Sequence, residues 1–322
     1  MKRANQVILL LIVLFLLACL WRMLAGVEFA WPVGEIADLR LKRLVSAVAV
    51  GSSLAVSGVL LQALLRNPLA SPFILGLASG SGFGVVTGIW LGSVFTFSAG
   101  LITYGILPAL LGALAALGLV FLLGRRHGQI DPLSLVLVGV VISAVFGALS
   151  LFILHLLPPG KMALLMYWMM GRLSDDRGWP LVITICLFSV AGTVVSTLLG
   201  RSLDAMSLGD DEAISLGLPL YRLRSVLLVL SGLLTAGAVV LAGPIGFIGL
   251  ISPHLVRLTT GPAHRRLVVG SALLGSVIVL SADSIVNSFR LSGGRLPIGI
   301  FTALIGGPVF LWILRSNWRE NA

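Results

Sequence analysis

Apolar runs of about 20 residues recur along the whole chain, and they constrain its fold more than any other feature. The hydrocarbon core of a bilayer is about 30 Å thick, so an α-helix needs about 20 apolar residues to cross it. Backbone groups in lipid must be hydrogen-bonded within the protein, and continuous runs of this length favour helices. The sequence therefore predicts an all-α polytopic membrane protein, with residues 1–322 forming a single transmembrane domain.

The predicted fold has about ten spans. We place nine near residues 5–25, 44–65, 73–92, 100–123, 133–157, 179–200, 223–243, 267–289 and 297–315. A tenth, broken segment covers residues 244–260, where Gly243, Gly246 and Gly249 lie close to Pro244 and Pro253. These residues disfavour a straight helix. An interrupted helix at membrane depth must be covered by protein or line a path.

The basic and cysteine residues exclude several classes of protein. The net charge of +10 is divided into short clusters between the apolar runs, as is typical of topology signals and not of nucleic-acid binding. Cys19 and Cys186 lie in apolar segments without CxxC spacing, which indicates neither a disulfide framework nor a metal site. Residues 2–19 also fit a lipoprotein signal peptide, but the continuation as membrane spans favours a first transmembrane helix.

The distribution of Lys and Arg predicts the orientation. With the N-terminus inside, the larger share of the 22 basic residues falls in cytoplasmic loops, as the positive-inside rule requires. Both termini and the loop at 201–224 are then cytoplasmic.

The loop at 201–224 is the longest polar segment of the chain. Ser207 precedes Asp210 by three residues, which predicts an N-cap with its capping-box partner. Acidic residues at 210–212 fill the first turn, where the helix dipole favours anions, and Gly217 ends the helix. A helix of about ten residues is marginal by itself in water. It therefore needs a surface, either the ends of its own spans or a separate cytoplasmic protein.

Glycine recurs at every fourth position in the third span. Such a stripe lies on one helix face and lets another backbone approach closely. We interpret it as a helix-packing surface, with a smooth pore-lining face as the alternative. The residues are Gly76, Gly80, Gly84, Gly88 and Gly92.

Motifs for catalysis and nucleotide binding are absent from the sequence. It contains no GxxxxGK[ST], HExxH or GxSxG pattern, so we predict no enzyme activity and no bound cofactor. An ATP-driven process would place ATP and Mg on another subunit. Asp283 is the one carboxylate well inside a span, without a basic partner nearer than Arg290. A helix-packing hydrogen bond is favoured there over proton coupling.

Several segments in a fixed order resemble the FecCD-like permeases of type II ATP-binding-cassette (ABC) importers for iron-siderophores, haem and cobalamin. The resemblance covers nearly the whole chain and includes Gly76, Pro253 and His254. The segments are LRLKRL at 39–44, GVLLQ at 58–62, NPLASP at 67–72, YWMMG at 167–171, LGDDEAISLG at 208–217, GPIGFIGL at 243–250 and LPIG at 296–299.

The resemblance implies a ten-helix subunit of the bacterial inner membrane that dimerises around a central path. We favour a homodimer, with pairing to a similar subunit as the alternative. Two ATPase subunits would lie below it and a periplasmic binding protein above. It also implies that the 201–224 loop forms a coupling helix that docks on the ATPase. The implied coupling residues are Ser207, Leu208, Gly209, Asp210, Asp211, Glu212, Ala213, Leu216 and Gly217.

Two further sites follow from the resemblance. Arg40 and Arg43 match family arginines that receive carboxylates of the binding protein, although they also fit simple helix anchors. The third family arginine is replaced by Asn287, and Arg290 is the substitute. The inner gate falls at the turn into the fifth span, formed by Asp131, Pro132, Leu133 and Ser134.

The resemblance implies a metal chelate as substrate, with Fe(III)-siderophore preferred and cobalamin or haem as alternatives. A secondary transporter that works without an ATPase is the rival from another class. The scarcity of ionisable residues inside the spans argues against it. A structural or signalling scaffold has no feature in its favour.

Overall fold

The computed structural model describes residues 2–26, 31–94, 106–126, 129–157, 162, 166, 168–175, 177–288 and 296–320. The α-helices within these residues are α1 (Lys2–Leu24), α2 (Glu35–Leu65), α3 (Leu77–Val94), α4 (Ile106–Leu123), α5 (Pro132–His155), α6 (Trp179–Leu198), α7 (Gly200–Met206), α8 (Asp210–Ser215), α9 (Leu220–Ala242), α10 (Ile248–Thr260), α11 (His264–Ser288) and α12 (Ile298–Glu320). A 3-10 helix (Pro72–Leu75) precedes α3, and a two-stranded antiparallel hairpin of β1 (Arg125–Arg126) and β2 (Gln129–Ile130) precedes α5.

Eight of the helices in the described part of the chain are long and apolar enough to cross a membrane: α1 to α6, α9 and α11. With the 13-residue α10 and with α12 the number agrees with the ten predicted. The main difference lies at α2, which begins at Glu35 and not near residue 44. Among the charged residues of this first part of the helix, Lys42 pairs with Asp38 and Arg43 pairs with Asp283. The predicted start of the fourth span falls in 95–105, outside the described residues.

Helix α2 lies at the centre of the bundle. In its most apolar stretch 78% of the residues are buried, compared with 17% for α1 and for α5. Helices α6, α9, α10 and α11 all pack against it. Ser57 of α2 donates a hydrogen bond to the Ser231 carbonyl of α9 at 2.8 Å and lies 2.7 Å from the Thr235 hydroxyl. The organising element of the fold is therefore a buried helix, and the outer helices present their apolar side chains to the surroundings.

Glycine sets how closely α2 approaches its neighbours. A Cβ atom on Gly58 would overlap the carbonyl of Gly249 in α10, and one on Gly51 would lie 2.7 Å from Ser276 Cα of α11. Both distances are shorter than real Cβ contacts. Close backbone approach of this kind is the usual way in which membrane helices associate.

The glycine stripe of α3 lies against two different helices. A Cβ on Gly80 would meet Ala116 Cβ of α4 at 2.7 Å, and one on Gly84 would overlap the Pro108 carbonyl. Gly88 faces the Pro108 ring. Gly76 precedes the helix with φ of +74° and lies near Ile142 of α5. The last member, Gly92, has no atom within 4 Å of the added Cβ position.

The broken segment resumes as a helix after a sharp turn. Gly243 has φ of +68° and Phe247, which immediately precedes α10, has φ of +69°. A positive φ is unfavourable for a residue with a bulky side chain, so tertiary packing must hold Phe247 in place. Its side chain packs against Gly306 of α12. Pro253 lies inside α10, which has only 13 residues and is mostly buried.

We expect Gly58→Ala to destabilise the chain by about 1 to 3 kcal/mol or more, because the new methyl group would overlap the backbone of α10. Gly118→Ala is the matched control, since no atom lies within 4 Å of its Cβ position and alanine favours a helix by about 1 kcal/mol over glycine. Thermal unfolding in detergent measures the difference. Equal melting temperatures for the two variants would contradict glycine-limited packing.

Candidate functional site: polar clusters at the two ends of the bundle

The polar loop folds into two short helices, α7 and α8, and not into the single capped helix predicted. Ser207 is not the N-cap of α8, and that prediction is wrong. Its hydroxyl donates to the Asp204 carbonyl at 2.6 Å, so it ends α7. Gly209 is the N-cap of α8, with φ of +148°, a conformation that suits glycine.

The C-terminus of α8 has the geometry of a Schellman motif. Gly217, with φ of +78°, donates its backbone N–H to the Ile214 carbonyl at 2.8 Å, and Leu218 donates to the Ala213 carbonyl at 3.1 Å. Ala213 itself is fully buried. The helix thus ends at glycine, as predicted, and its short length is stabilised by contacts on both sides.

Asp210 ties α8 to two membrane helices. Its carboxylate accepts hydrogen bonds from Arg66, which follows α2, and from Arg224 of α9. Arg224 donates from the single nitrogen Nη2 to both carboxylate oxygens at 2.9 Å. Hydrogen bonds between charged groups are stronger than neutral ones. Asp210 is therefore an internal anchor, a role that its position in an acidic first turn did not reveal.

The opposite side of this segment is unusually apolar for a polar loop. Leu208, Ile214 and Leu216 are 65%, 59% and 63% exposed, and the side chains of Asp211 and Glu212 are exposed beside them. Large exposed apolar side chains rimmed by charges are characteristic of a protein contact surface. The sequence analysis did not include Ile214 among the coupling residues. Its exposure on the same face as Leu208 and Leu216 became clear only from the bounds of α8, which has six residues.

The turn into α5 is held by Asp131. Its carboxylate accepts from the Ser134 backbone N–H at 2.8 Å and from the Ser134 hydroxyl at 2.6 Å. The hydrogen bonds from Ser134 hold the pKa of Asp131 below its ordinary value. Pro132 occupies the first position of the helix, where its missing N–H costs nothing. Leu133 is 67% exposed at the end of the bundle.

Arg224 connects the α8 segment with this turn. Besides binding Asp210, the guanidinium donates to the carbonyl of Ile130 at 3.4 Å, and Ile130 directly precedes Asp131. Arg224 is buried, with 7% exposure. One side chain on α9 thus bridges the two sites that the resemblance implied separately.

The other end of the bundle contains a buried ion cluster. Asp283, which is fully buried, accepts from Arg22 of α1 and from two nitrogens of Arg43 of α2. Arg43 also donates to Asp175 at 2.6 Å. The expectation that Asp283 makes a simple packing hydrogen bond is corrected, because its basic partners are 261 and 240 residues away in sequence.

The arginines implied to meet a binding protein differ in their surroundings. Arg43 is only 5% exposed and engages the two carboxylates. Arg40 donates to the carbonyls of Met23 and Leu24 at 2.6 and 3.0 Å, at the end of α1. Arg290 lies outside the described residues. A docking role for these residues stays a prediction.

Within the described residues, no group of three or more His, Cys, Asp or Glu side chains is arranged to hold a metal ion.

The FecCD transport family model matches residues 6–316. A cobalamin import system permease protein, BtuC, of Halobacterium salinarum is 38% identical over 284 residues, which cover 88% of this chain and 73% of that protein. A vitamin B12 import system permease protein, BtuC, of Yersinia pseudotuberculosis is 37% identical over 321 residues, covering 94% and 91% of the two chains.

Two solved structures are similar to the chain. One is described as an inward-facing conformation of a metal-chelate type ABC transporter, with a TM-score of 0.84 and 31% identity, covering 97% of this chain and 99% of that one. PsaBC from Streptococcus pneumoniae, with a TM-score of 0.55 and 14% identity over 85% and 90% of the chains, shares the fold.

We expect Asp283→Asn to destabilise the folded chain by about 3 to 5 kcal/mol, because it removes the buried charge between two buried guanidinium groups and leaves Arg22 without a carboxylate among the described residues. Asp175→Asn, which removes the other carboxylate bound to Arg43, is the matched control. Its carboxylate is 35% exposed, so its loss should cost no more than about 1 kcal/mol. Melting temperatures in detergent compare them. A control that lowers the melting temperature as much as Asp283→Asn would overturn the distinction.

Proposed function

The chain belongs to the FecCD transport family, and on this premise we propose that its α8 segment couples a separate ATPase to a gate at the start of α5. The chain is a membrane-spanning permease subunit of an ABC importer, a transport component and not an enzyme. Permeases of this family work with an ATPase and a binding protein. We assign this chain two ATPase subunits, a second copy of itself and a periplasmic binding protein.

The observation that carries the proposal is the exposed apolar side of the α8 segment. Leu208, Ile214 and Leu216 provide the contact area, and Asp211 and Glu212 provide charge at its edge. This surface is small and is built on a helix fastened at both ends, so a partner can push it without unfolding it. The orientation with both termini and α8 on the cytoplasmic side rests on the positive-inside rule.

The ion pairs behind α8 supply a route for the push. Movement of α8 carries Asp210, which holds Arg224 through two hydrogen bonds. Arg224 in turn holds the backbone at Ile130, next to the turn that Asp131 caps. Displacement of α8 would therefore shift the first turn of α5. Rearrangement of packed helices through a few polar contacts is an established form of conformational switch.

At the opposite end, we propose that Arg40 and its neighbours face the binding protein. Arg43 is engaged within the chain by Asp283 and Asp175, so its contribution to docking would be to hold the end of α2 rigid. Arg40 lies closer to the surface, and a carboxylate of the binding protein would meet it at the junction of α1 and α2.

For the substrate we propose a metal chelate. The names of the relatives refer to cobalamin and vitamin B12, which favours the cobalt chelate that the sequence ranked as an alternative. The similar solved transporter is described by the broader class of metal chelates. The ferric siderophore preferred from the sequence is the second chelate to test.

Uptake into vesicles tests the function. The chain is reconstituted with its ATPase and binding protein and offered labelled cyanocobalamin or a ferric hydroxamate siderophore. We expect ATP-dependent accumulation of one chelate that excess of the other does not inhibit. Accumulation without the ATPase, or of neither chelate, would contradict the proposal.

Arg224→Gln tests the coupling route. It removes a charged partner of Asp210 worth about 1.5 to 3 kcal/mol, so we expect the chelate transported per ATP hydrolysed to fall about tenfold or more while the complex still assembles. Arg222→Gln, on the exposed side of α9, is the control. Uptake and ATP hydrolysis are measured together in vesicles. An unchanged ratio for Arg224→Gln would refute the route.

A further inference from the structure

A pocket of about 690 Å³ opens beside the α8 segment, between the end of α2 and the start of α11. It has no part in the route through Arg224 and Ile130. Its volume is within the range of about 300 to 1,000 Å³ that is usual for sites of small molecules. The lining residues that matter for its chemistry are Gln62, Arg66, Asp204, Arg257, His264 and Arg266.

Two of the charged groups in the pocket have close partners on the chain. Asp204 accepts from the backbone N–H of His264 at 2.9 Å, and its carboxylate lies 2.7 Å from His264 Nδ1. Arg66 is paired with Asp210. Within the part of the chain that the structure describes, neither Arg257 nor Arg266 has a carboxylate within 4.0 Å. The pocket therefore holds two guanidinium groups without a paired carboxylate, against the one carboxylate of Asp204.

Arg257 has more hydrogen-bond donors than its neighbours can accept from. Arg257 is half-buried, and it donates from Nη2 to the side-chain oxygen of Gln62 at 3.0 Å. A guanidinium has five N–H donors, and this neutral acceptor takes one. Because the Gln62 oxygen faces Arg257, its amide nitrogen points elsewhere and is buried without an acceptor among the described residues. The site has an excess of donors, and a half-buried charge without a counter-ion is costly.

We propose that this pocket binds a phosphate-bearing anion, with Arg257 and Arg266 as its principal ligands. A phosphate group has several acceptor oxygens that match the fork of an arginine, and more than one negative charge to balance two cations. The volume accommodates a substituent on the phosphate as well. Two sources share this chemistry: a soluble phosphate compound and the headgroup of an anionic phospholipid.

Binding to the full-length chain tests the site, and it needs neither the ATPase nor a transport assay. In one arm the protein in neutral detergent is titrated with inorganic phosphate and with pyrophosphate. In the other it is reconstituted in vesicles of phosphatidylcholine with or without phosphatidylglycerol, and thermal unfolding is measured. Stabilisation in the first arm identifies a soluble phosphate, and stabilisation that depends on phosphatidylglycerol identifies a lipid headgroup.

Substitutions distinguish phosphate binding in this pocket from general electrostatic attraction to a basic protein. We expect Arg257→Gln and Arg266→Gln each to weaken binding about tenfold or more, and Arg257→Lys to weaken it as well, since lysine lacks the fork. Arg201→Gln, an exposed arginine of α7 outside the pocket lining, should leave binding unchanged. Equal loss in Arg201→Gln, or stabilisation in neither arm, would overturn the proposal, and Arg257 would then serve only the C-terminal end of α10.

Discussion

The close approach of α2 to its neighbours through glycine is the constraint on which the rest of the bundle depends. Gly58 meets Gly249 and Gly51 meets α11 with no room for a side chain. Because lipid offers no hydrophobic driving force between helices, such contacts supply the packing that holds a membrane bundle together. The same helix bears the polar groups at both ends of the bundle, so its position determines where those groups meet their partners.

The two arginine–aspartate clusters differ in a way that suits different roles. Asp283 is fully buried between two arginines, and breaking such a pair is costly. Asp210 also has two arginine partners, but its side chain is 42% exposed, where water screens the attraction. The Asp283 cluster is thus closed to water, while the Asp210 cluster is open to water on the side of Asp210 and Arg66. We therefore expect movement at the Asp210 cluster and not at the Asp283 cluster.

The length and continuity of the apolar runs were enough to predict the all-α fold, nearly all of the spans and the break before α10. Rules based on neighbouring residues in the sequence were less successful where contacts between distant residues determine the structure. Ser207 fits the N-capping pattern, yet it is the C-cap of α7, and Gly209 is the N-cap of α8. The partners of Asp283 and the bridge made by Arg224 could not be predicted, because they join residues on helices whose packing no local pattern specifies. Gly217 was predictable because a Schellman ending is a local motif.

The buried pair between Arg22 and Asp283 also bears on how the protein is made. Arg22 is synthesised 261 residues before the carboxylate that neutralises it. An unpaired guanidinium is poorly tolerated in lipid but can reach the interface from the end of a helix. We therefore expect Arg22 to stay close to the membrane interface during translation until α11 supplies Asp283.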